Sequence, residues 1–292
     1  MRNLIVLLSV FTVLLFSSCS DREEKNSIEV MTFNIRYDNP ADSLNSWSMR
    51  APLVYRFIED KKPDLLGLQE ALWKQYEYLD TLLTDYASAG VGRDDGARGG
   101  EMNPVFYRKD RFDLIRNKTF WLSENPDSAG SISWGSSLPR IVTWMELSDK
   151  LTGEHFYIFN THFAHDSDTA RMMSSQLLMS EIDSIANGFP FVVTGDFNMK
   201  ISDEGYRILT GPFESVPLMA DAYAISEKKH TGPAYTFNGF SDTTRGGRID
   251  YIFVRKGLRV LSHRAYIKKE HGTFLSDHWP VSASVLIKKE LP

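Results

Sequence analysis

The chain opens on an apolar run at residues 4–16, preceded by a single positive charge at Arg2. The run is short of the roughly 20 residues a bilayer-spanning helix needs. Its place at the N-terminus behind that charge is the anatomy of an export signal. Further on, apolar positions follow two periods. Residues 28–34 (IEVMTFN) are rich in β-formers and predict the first strand. Strands are also predicted over 64–69, 105–107, 140–147, 155–161, 191–194, 249–254, 258–265 and 281–287. Leu53, Val54, Phe57 and Ile58 recur at helical spacing and predict a helix over 50–60. Helices follow over 72–83 and 169–186, the latter with Gly188 as its C-cap. Residues 148–153 form a hairpin turn. Residues 37–47 and 90–104 are polar loops. Within the second, Gly90 to Gly96 lacks the spacing of a dinucleotide fingerprint and reads as a flexible loop. Hairpins and β-α-β units alternate without a repeat or a linker, which predicts α/β architecture with mixed sheets in one domain, residues 28–290.

Composition narrows the class. The 292 residues are 42% hydrophobic and 24% charged, which excludes a disordered or low-complexity chain. A chain of this length buries roughly three quarters of its unfolded surface, so no covalent staple is required. The single cysteine, Cys19, excludes an intrachain disulfide. It follows Leu15, Phe16, Ser17 and Ser18, a stretch that resembles the lipobox of bacterial lipoproteins. That resemblance implies a signal peptide at 1–18, a lipidated Cys19 and a short tether to residue 27. A plain secretory signal with a chance cysteine is the alternative. Acylation of Cys19 would leave no free thiol for catalysis or metal binding. The protein is expected on the periplasmic or cell-surface face of a bacterial membrane, touching lipid through its anchor alone, as a monomer. A net charge of -5 argues against a sequence-independent nucleic-acid binder.

The chemistry sits where predicted strands end. Asn34, Glu70, the pair Asn160 and His162, the pair Asp196 and Asn198, Asp250, and the pair Asp277 and His278 all flank apolar strands. A single acid or amide in such a place is an ordinary turn cap. Several clusters at strand ends of an α/β protein suggest a built site. Carboxylate and amide oxygens without cysteine suit a hard cation, Mg²⁺ or Mn²⁺. Neither a zincin motif nor a nucleophile elbow is present.

Taken in order, MTFNIR, LLGLQE, NTHF, GDFN, RIDYIF and SDHWPV resemble the endonuclease/exonuclease/phosphatase superfamily, the DNase I-like group, across residues 28–288. The stretches around Tyr37, Phe120 and Gly247 are similar to a bacterial secreted, lipoprotein-type subfamily. The resemblance implies a four-layer α/β/β/α sandwich, with two packed mixed β-sheets flanked by helices. It implies Mg²⁺-dependent phosphoester hydrolysis, as phosphodiesterase, nuclease or phosphatase, with Mn²⁺ as a substitute. Glu70 would be the main metal ligand, with Asn34 beside it and Asp277 adding to the site. Asp196 would orient or deprotonate the attacking water, and Asn198 would hold a phosphate oxygen. His278 would bind the phosphate and its developing charge, its other ring nitrogen held by Asp250. His162 would contact the phosphate or protonate the leaving oxygen. Arg171 and Arg248 would bind substrate or pair with acidic neighbours. His165 and Glu101 would line the site or face solvent. The substrate would be a nucleic acid, a nucleotide, a phospholipid head group or a sugar phosphate. A non-catalytic substrate-binding lipoprotein that retains the fold is the competing reading.

Overall fold

Alternating side-chain direction along each strand decides how this chain layers. The computed structural model describes residues 23–211, 219–243 and 246–287; the export signal and Cys19 lie outside the described residues. The chain first lays down β1 (Ile28–Asn34), β2 (Leu65–Gln69), β3 (Tyr86–Ala89) and β4 (Val105–Arg108). It then builds β5 (Phe112–Trp121), β6 (Ile141–Asp149), β7 (His155–His162), β8 (Phe191–Asp196), β9 (Met219–Asp221) and β10 (Asp250–Arg255). It returns with β11 (Arg259–Ala265), a small hairpin of β12 (Lys269–Glu270) and β13 (Thr273–Phe274), and β14 (Val281–Leu286). One sheet runs β11-β14-β1-β2-β4-β3 and the other β5-β6-β7-β8-β10-β9. Both are mixed. Strand β1 pairs parallel to β2 and antiparallel to β14, and β7 is parallel to β8 while β10 is antiparallel to it.

Helices α1 (Trp47–Lys61) and α2 (Trp73–Leu82) lie on the first sheet. Val54, Phe57 and Ile58 of α1 pack with Met31, Phe33, Leu66 and Phe106. Helix α3 (Asp168–Ala186) covers the second sheet, where Leu178, Met179 and Ile182 meet Phe159, Val193 and Phe253. Two short helices, α4 (Glu204–Thr210) and α5 (Ala222–Ile225), follow later in the chain. A third apolar cluster, with Val30, Leu65, Ile158, Val192 and Ile252, fills the gap between the sheets. The order is therefore helix, sheet, sheet, helix, the four layers expected.

Within that gap the period of two writes a gradient. Val30, Thr32 and Asn34 share one face of β1, and Ile158, Asn160 and His162 share one face of β7. Val192, Thr194 and Asp196 do the same on β8. The register sets His162 opposite Asp196 and Asp196 opposite Asp250. Apolar residues occupy one end of the gap, a polar layer its middle, and the candidate site its far end. Gly67 of β2 lets the sheets close over the polar layer, because a Cβ there would collide with Thr194 Oγ1 and come within 2.6 Å of Asn160 Oδ1.

Two local expectations change, and the long strand β5 is one the sequence pattern does not predict. Strand β5 is an edge strand with an exposed charged stretch, Arg116 to Lys118, so its pattern carries no alternation. The left-handed cap of α3 falls on Asn187 rather than Gly188. The end of the segment read as a tether lies against the domain, with Glu23 on Arg259 and Glu24 on Lys228.

Candidate active site

The ends of β1, β2, β7, β8 and β10 and the turn before β14 converge on one cluster of buried polar groups. Asp196 is its centre. Its Oδ1 accepts the Asn198 backbone amide at 3.0 Å, the tight turn that GDFN encodes. Its Oδ2 accepts Asn34 Nδ2 at 2.9 Å and lies 3.6 Å from His162 Nε2 and 3.8 Å from His278 Nε2. Burial pushes the Asp196 carboxyl up, and the neighbouring Asp250 adds to the rise. A carboxylate raised in this way is a stronger base than a solvated one.

His278 is bound through Nδ1 to Asp250 Oδ2 at 2.9 Å. Burial opposes its charge, yet Asp250 and Asp196 outweigh that and hold it well above its ordinary value. His278 is thus an imidazolium at neutral pH, with its Nε2 side turned to Asp196. His162 is the opposite case. Burial first, then the positive charge of Arg140, lower it to about 3, so it is neutral. Asn198 Nδ2 donates to Phe163 O at 3.1 Å and to His162 Nε2 at 3.0 Å. The carbonyl fixes which way the amide faces, so Nε2 accepts and Nδ1 carries the proton. A neutral histidine of this kind is a hydrogen-bond donor and not a proton source for a leaving group.

Asn34 Nδ2 also donates to Glu70 Oε1 at 2.9 Å, while its Oδ1 accepts the Arg36 amide. Asn34 therefore bridges the Glu70 and Asp196 carboxylates through its nitrogen. Glu70 Oε2 accepts the Tyr37 amide at 3.1 Å. Asp277 is held by Ser276 Oγ, and burial raises its carboxyl. The Arg36 guanidinium lies 4.0 Å from Glu70 and 3.8 Å from Asp277, so these two acids already face one cation. Atoms of Glu70, His162 and Asp196 come within 4.8 Å of one another, as do those of Asp196, Asp250 and His278. The second trio is engaged by the Asp250–His278 bond. The oxygen donors of Glu70, Asp196 and Asp277 fit a hard divalent cation.

Backbone strain accompanies the site. Arg36, Glu70 and Asn198 have φ of 57°, 60° and 50°, a region that costs non-glycine residues on the order of 1–3 kcal/mol each. Arg50, fully buried, stabilises the strained loop by donating to the carbonyls of Ile35, Arg36, Asn45 and Leu275. Gln75 ties Arg36 O and Asp38 N from the other side. Ser276 Oγ binds Asn34 O at 2.7 Å, joining β1 to the turn that carries Asp277 and His278.

Arg171 and Arg248 are committed elsewhere. Arg171 pairs with Asp168 and donates to Ala164 O. Arg248 pairs with Asp221 at 2.7 Å and stacks on Tyr223 and Tyr251. Each shows the acid-pairing alternative rather than a free phosphate ligand. His165 is exposed, and its Nδ1 meets Arg140 Nη2 at 2.9 Å. Glu101 reaches inward, 2.8 Å from Arg93 Nη1 and 3.7 Å from His162 Nδ1. The segment 90–104 is tied to the domain: Trp121 Nε1 donates to Arg93 O at 2.7 Å, and Arg93 itself is buried. Arg36, Arg93 and Arg140 were not singled out by the sequence. Only Arg36, inside MTFNIR, stands in a motif that could have marked it.

Comparison with known proteins identifies the family. A family model described as the endonuclease/exonuclease/phosphatase family matches residues 31–278. An endonuclease/exonuclease/phosphatase from Bacteroides vulgatus is 41% identical, over 90% of this chain and 99% of that one, with a TM-score of 0.85. The mannosyl-6-phosphatase of Bacteroides thetaiotaomicron is 32% identical, over 89% and 99%, with a TM-score of 0.80. The catalytic domain of human nocturnin, at 21% identity and a TM-score of 0.70 over 89% of this chain and 93% of that one, shares the fold.

Proposed function

The chain belongs to the endonuclease/exonuclease/phosphatase family, whose members here are phosphoester hydrolases, and from that premise we propose that it hydrolyses a phosphoester by direct attack of water, with a divalent cation, Mg²⁺ or Mn²⁺, on Glu70 and Asp277. The observation that carries this is the opposed protonation of groups around Asp196. A raised carboxylate faces an imidazolium, His278, on one side and a neutral imidazole, His162, on the other. Asp196 takes the proton from water. His278, fixed by Asp250, offers Nε2–H to a phosphate oxygen as charge builds there. Asn34 holds the Glu70 and Asp196 carboxylates in register. Asn198 fixes the ring of His162, and a rotation of its amide would also present it to a phosphate oxygen. The cation, when bound, neutralises the phosphate and polarises its ester. No covalent enzyme intermediate is needed.

Sugar phosphates enter the substrate range through the mannosyl-6-phosphatase relative; nucleotides, nucleic acids and phospholipid head groups remain in it through the wider family. A lipid anchor on Cys19 would hold the enzyme at a membrane surface, near exported or scavenged esters. The competing reading, a binding protein that has lost catalysis, predicts a missing group. Glu70, Asp196, Asn198, Asp250, Asp277 and His278 are all present.

The test is hydrolysis of p-nitrophenyl phosphate and bis(p-nitrophenyl) phosphate with Mg²⁺, with Mn²⁺ and with a chelator. Activity that vanishes on chelation and falls by about 10³-fold or more in Asp196→Asn is expected for loss of a base and water-positioning group. Equal rates in Asp196→Asn and wild type would refute the assignment.

A further inference from the structure

Among the described residues, Glu70 and Asp277 share one ion-pair partner, Arg36. Its Nη1 lies 4.0 Å from Glu70 Oε2, and its Nε lies 3.8 Å from Asp277 Oδ2. The tighter hold is on Asp42, in the 3₁₀ turn Pro40–Asn45: Nε donates to Oδ2 at 3.1 Å and Nη2 to Oδ1 at 3.4 Å. One guanidinium therefore faces three carboxylates, one through a fork and two at longer range. Burial opposes its charge, yet Asp42, Asp277 and Glu70 outweigh that and hold Arg36 above its ordinary value. The side chain is 23% exposed and lies over the Tyr37 ring, 4.4 Å from its centroid, so one side of it is open to water.

This guanidinium is not what holds the strained loop. The Arg36 amide donates to Asn34 Oδ1, and its carbonyl accepts from Arg50 and Gln75. Arg50 is the other cation on which Asp277, Asp42 and Glu70 act, and it spends its donors on the carbonyls of Ile35, Arg36, Asn45 and Leu275. Backbone support and charge neutralisation are thus divided between two arginines.

We propose that Arg36 is a built-in counter-charge for Glu70 and Asp277, which must withdraw onto Asp42 when a divalent cation takes those two acids, so that Arg36 and Asp42 together set the metal affinity of the site. The inference rests on the metal-dependent hydrolysis proposed above and concerns how that site admits its metal. A guanidinium and a metal ion compete for the same oxygens and repel each other at this range. Nε is common to the Asp42 and Asp277 contacts, so a small swing gives up the looser one and keeps the fork. A monovalent ion brings no more charge than the guanidinium it would displace, whereas Mg²⁺ or Mn²⁺ brings twice as much. The pair therefore favours divalent ions and keeps the two acids neutralised until one arrives.

The experiment measures Mn²⁺ binding to the full chain, stripped with chelator and dialysed, by calorimetry and by loss of the free-ion EPR signal. Arg36→Met keeps an apolar stem on Tyr37 and removes the charge; affinity should rise about tenfold or more. Asp42→Asn loosens the fork and should weaken binding about tenfold. Part of that is loss of the Asp42 charge itself, so the double variant decides: with Arg36 gone, Asp42→Asn should matter by less than about 3-fold. In wild type, the Arg36 Nε–H resonance, assigned by its absence in Arg36→Lys, should move during a Mg²⁺ titration; this arm stands if the other variants do not fold. Unchanged or weaker Mn²⁺ binding in Arg36→Met, or a resonance that stays still while Mg²⁺ binds, would overturn the counter-charge. Binding that is equal in all variants overturns it and leaves the metal-dependent reading standing, whereas binding in none overturns both.

Discussion

Two polar regions lie side by side between the sheets, and they treat burial in opposite ways. In the middle layer, Asn160 Nδ2 donates to the carbonyls of Leu68 and Pro104, and its Oδ1 accepts from Gln69 Nε2 and Thr194 Oγ1. Every hydrogen-bonding position of Asn160 is used, and it joins both sheets. Only Gln69 Oε1 in that layer lacks a partner. Beside it, at the end of β7 and in the segments flanking it, Arg93, Arg140 and His162 leave donors unpaired. Buried polar groups are normally satisfied. The first region is what a fold needs in order to hold two sheets in register. The second is what a site looks like when part of its hydrogen bonding is kept for something that arrives later. Proximity to a strand end does not separate them; satisfaction does.

The comparison breaks most severely at Asn160. Asn160→Ala removes four hydrogen bonds from the buried layer, although Pro104 O, Gln69 Nε2 and Thr194 Oγ1 each keep another partner, and each lost bond costs roughly 0.5–1.5 kcal/mol. A destabilisation of at least about 3 kcal/mol in urea titration is expected. A loss under about 1 kcal/mol would mean that the layer is not what fastens the sheets. Gly67→Ala attacks the same layer from the facing sheet. Its new methyl meets Asn160 and Thr194, and a cost of about 2 kcal/mol is expected from overpacking. Because the sheets must separate to admit it, hydrolysis should fall too, although Gly67 touches no reacting group.

The same substitution logic gives the reverse sign in the second region. Arg140→Met removes a buried charge that, among the described residues, has no ion pair and one hydrogen-bond partner. In phosphate-free buffer the variant should be as stable as wild type or more stable by about 1 kcal/mol, as found when buried charges give way to apolar side chains. A variant less stable by more than about 2 kcal/mol would place Arg140 with Asn160 as a structural group.

This contrast also marks where sequence reading succeeds and stops. The layers were legible because strand patterning is local: IEVMTFN and FYIFNTH state in one dimension which faces are buried. The acids and histidines at strand ends were legible because each sits in a short motif next to an apolar run. Arg93 and Arg140 were not. Arg93 sits in a Gly-rich loop that reads as mobile, and its burial comes from Trp121 and Glu101, which are remote in sequence. Arg140 stands at the head of a predicted strand with nothing local to show that its guanidinium goes unpaired. The competing fates of Arg171 and Arg248 were equally hidden, since Asp221 lies 27 residues from Arg248. Pairing is a property of three dimensions, and so is its absence.

The smallest effect concerns the charge on the other side of Asp196. His278 is held well above its ordinary value of 6.5, so the folded state binds its proton more tightly than the unfolded chain does. That contribution to stability is complete below about pH 6.5 and is lost as pH rises through the higher folded value. Asp196 and Asp277, raised by burial, slope the same way at lower pH: folding favours their protonated forms, and that gain fades as pH rises. Metal-free protein in chelator should therefore lose stability in urea titrations between pH 6.5 and pH 9. Asp250→Asn removes the principal support of the imidazolium and should flatten this part of the curve while leaving the decline below it. A chemical shift titration of the His278 ring gives the same answer directly, with its midpoint falling in the variant. An unchanged midpoint would show that Asp250 aims the ring without charging it, and the imidazolium side of the site would then rest on Asp196 and Asp277.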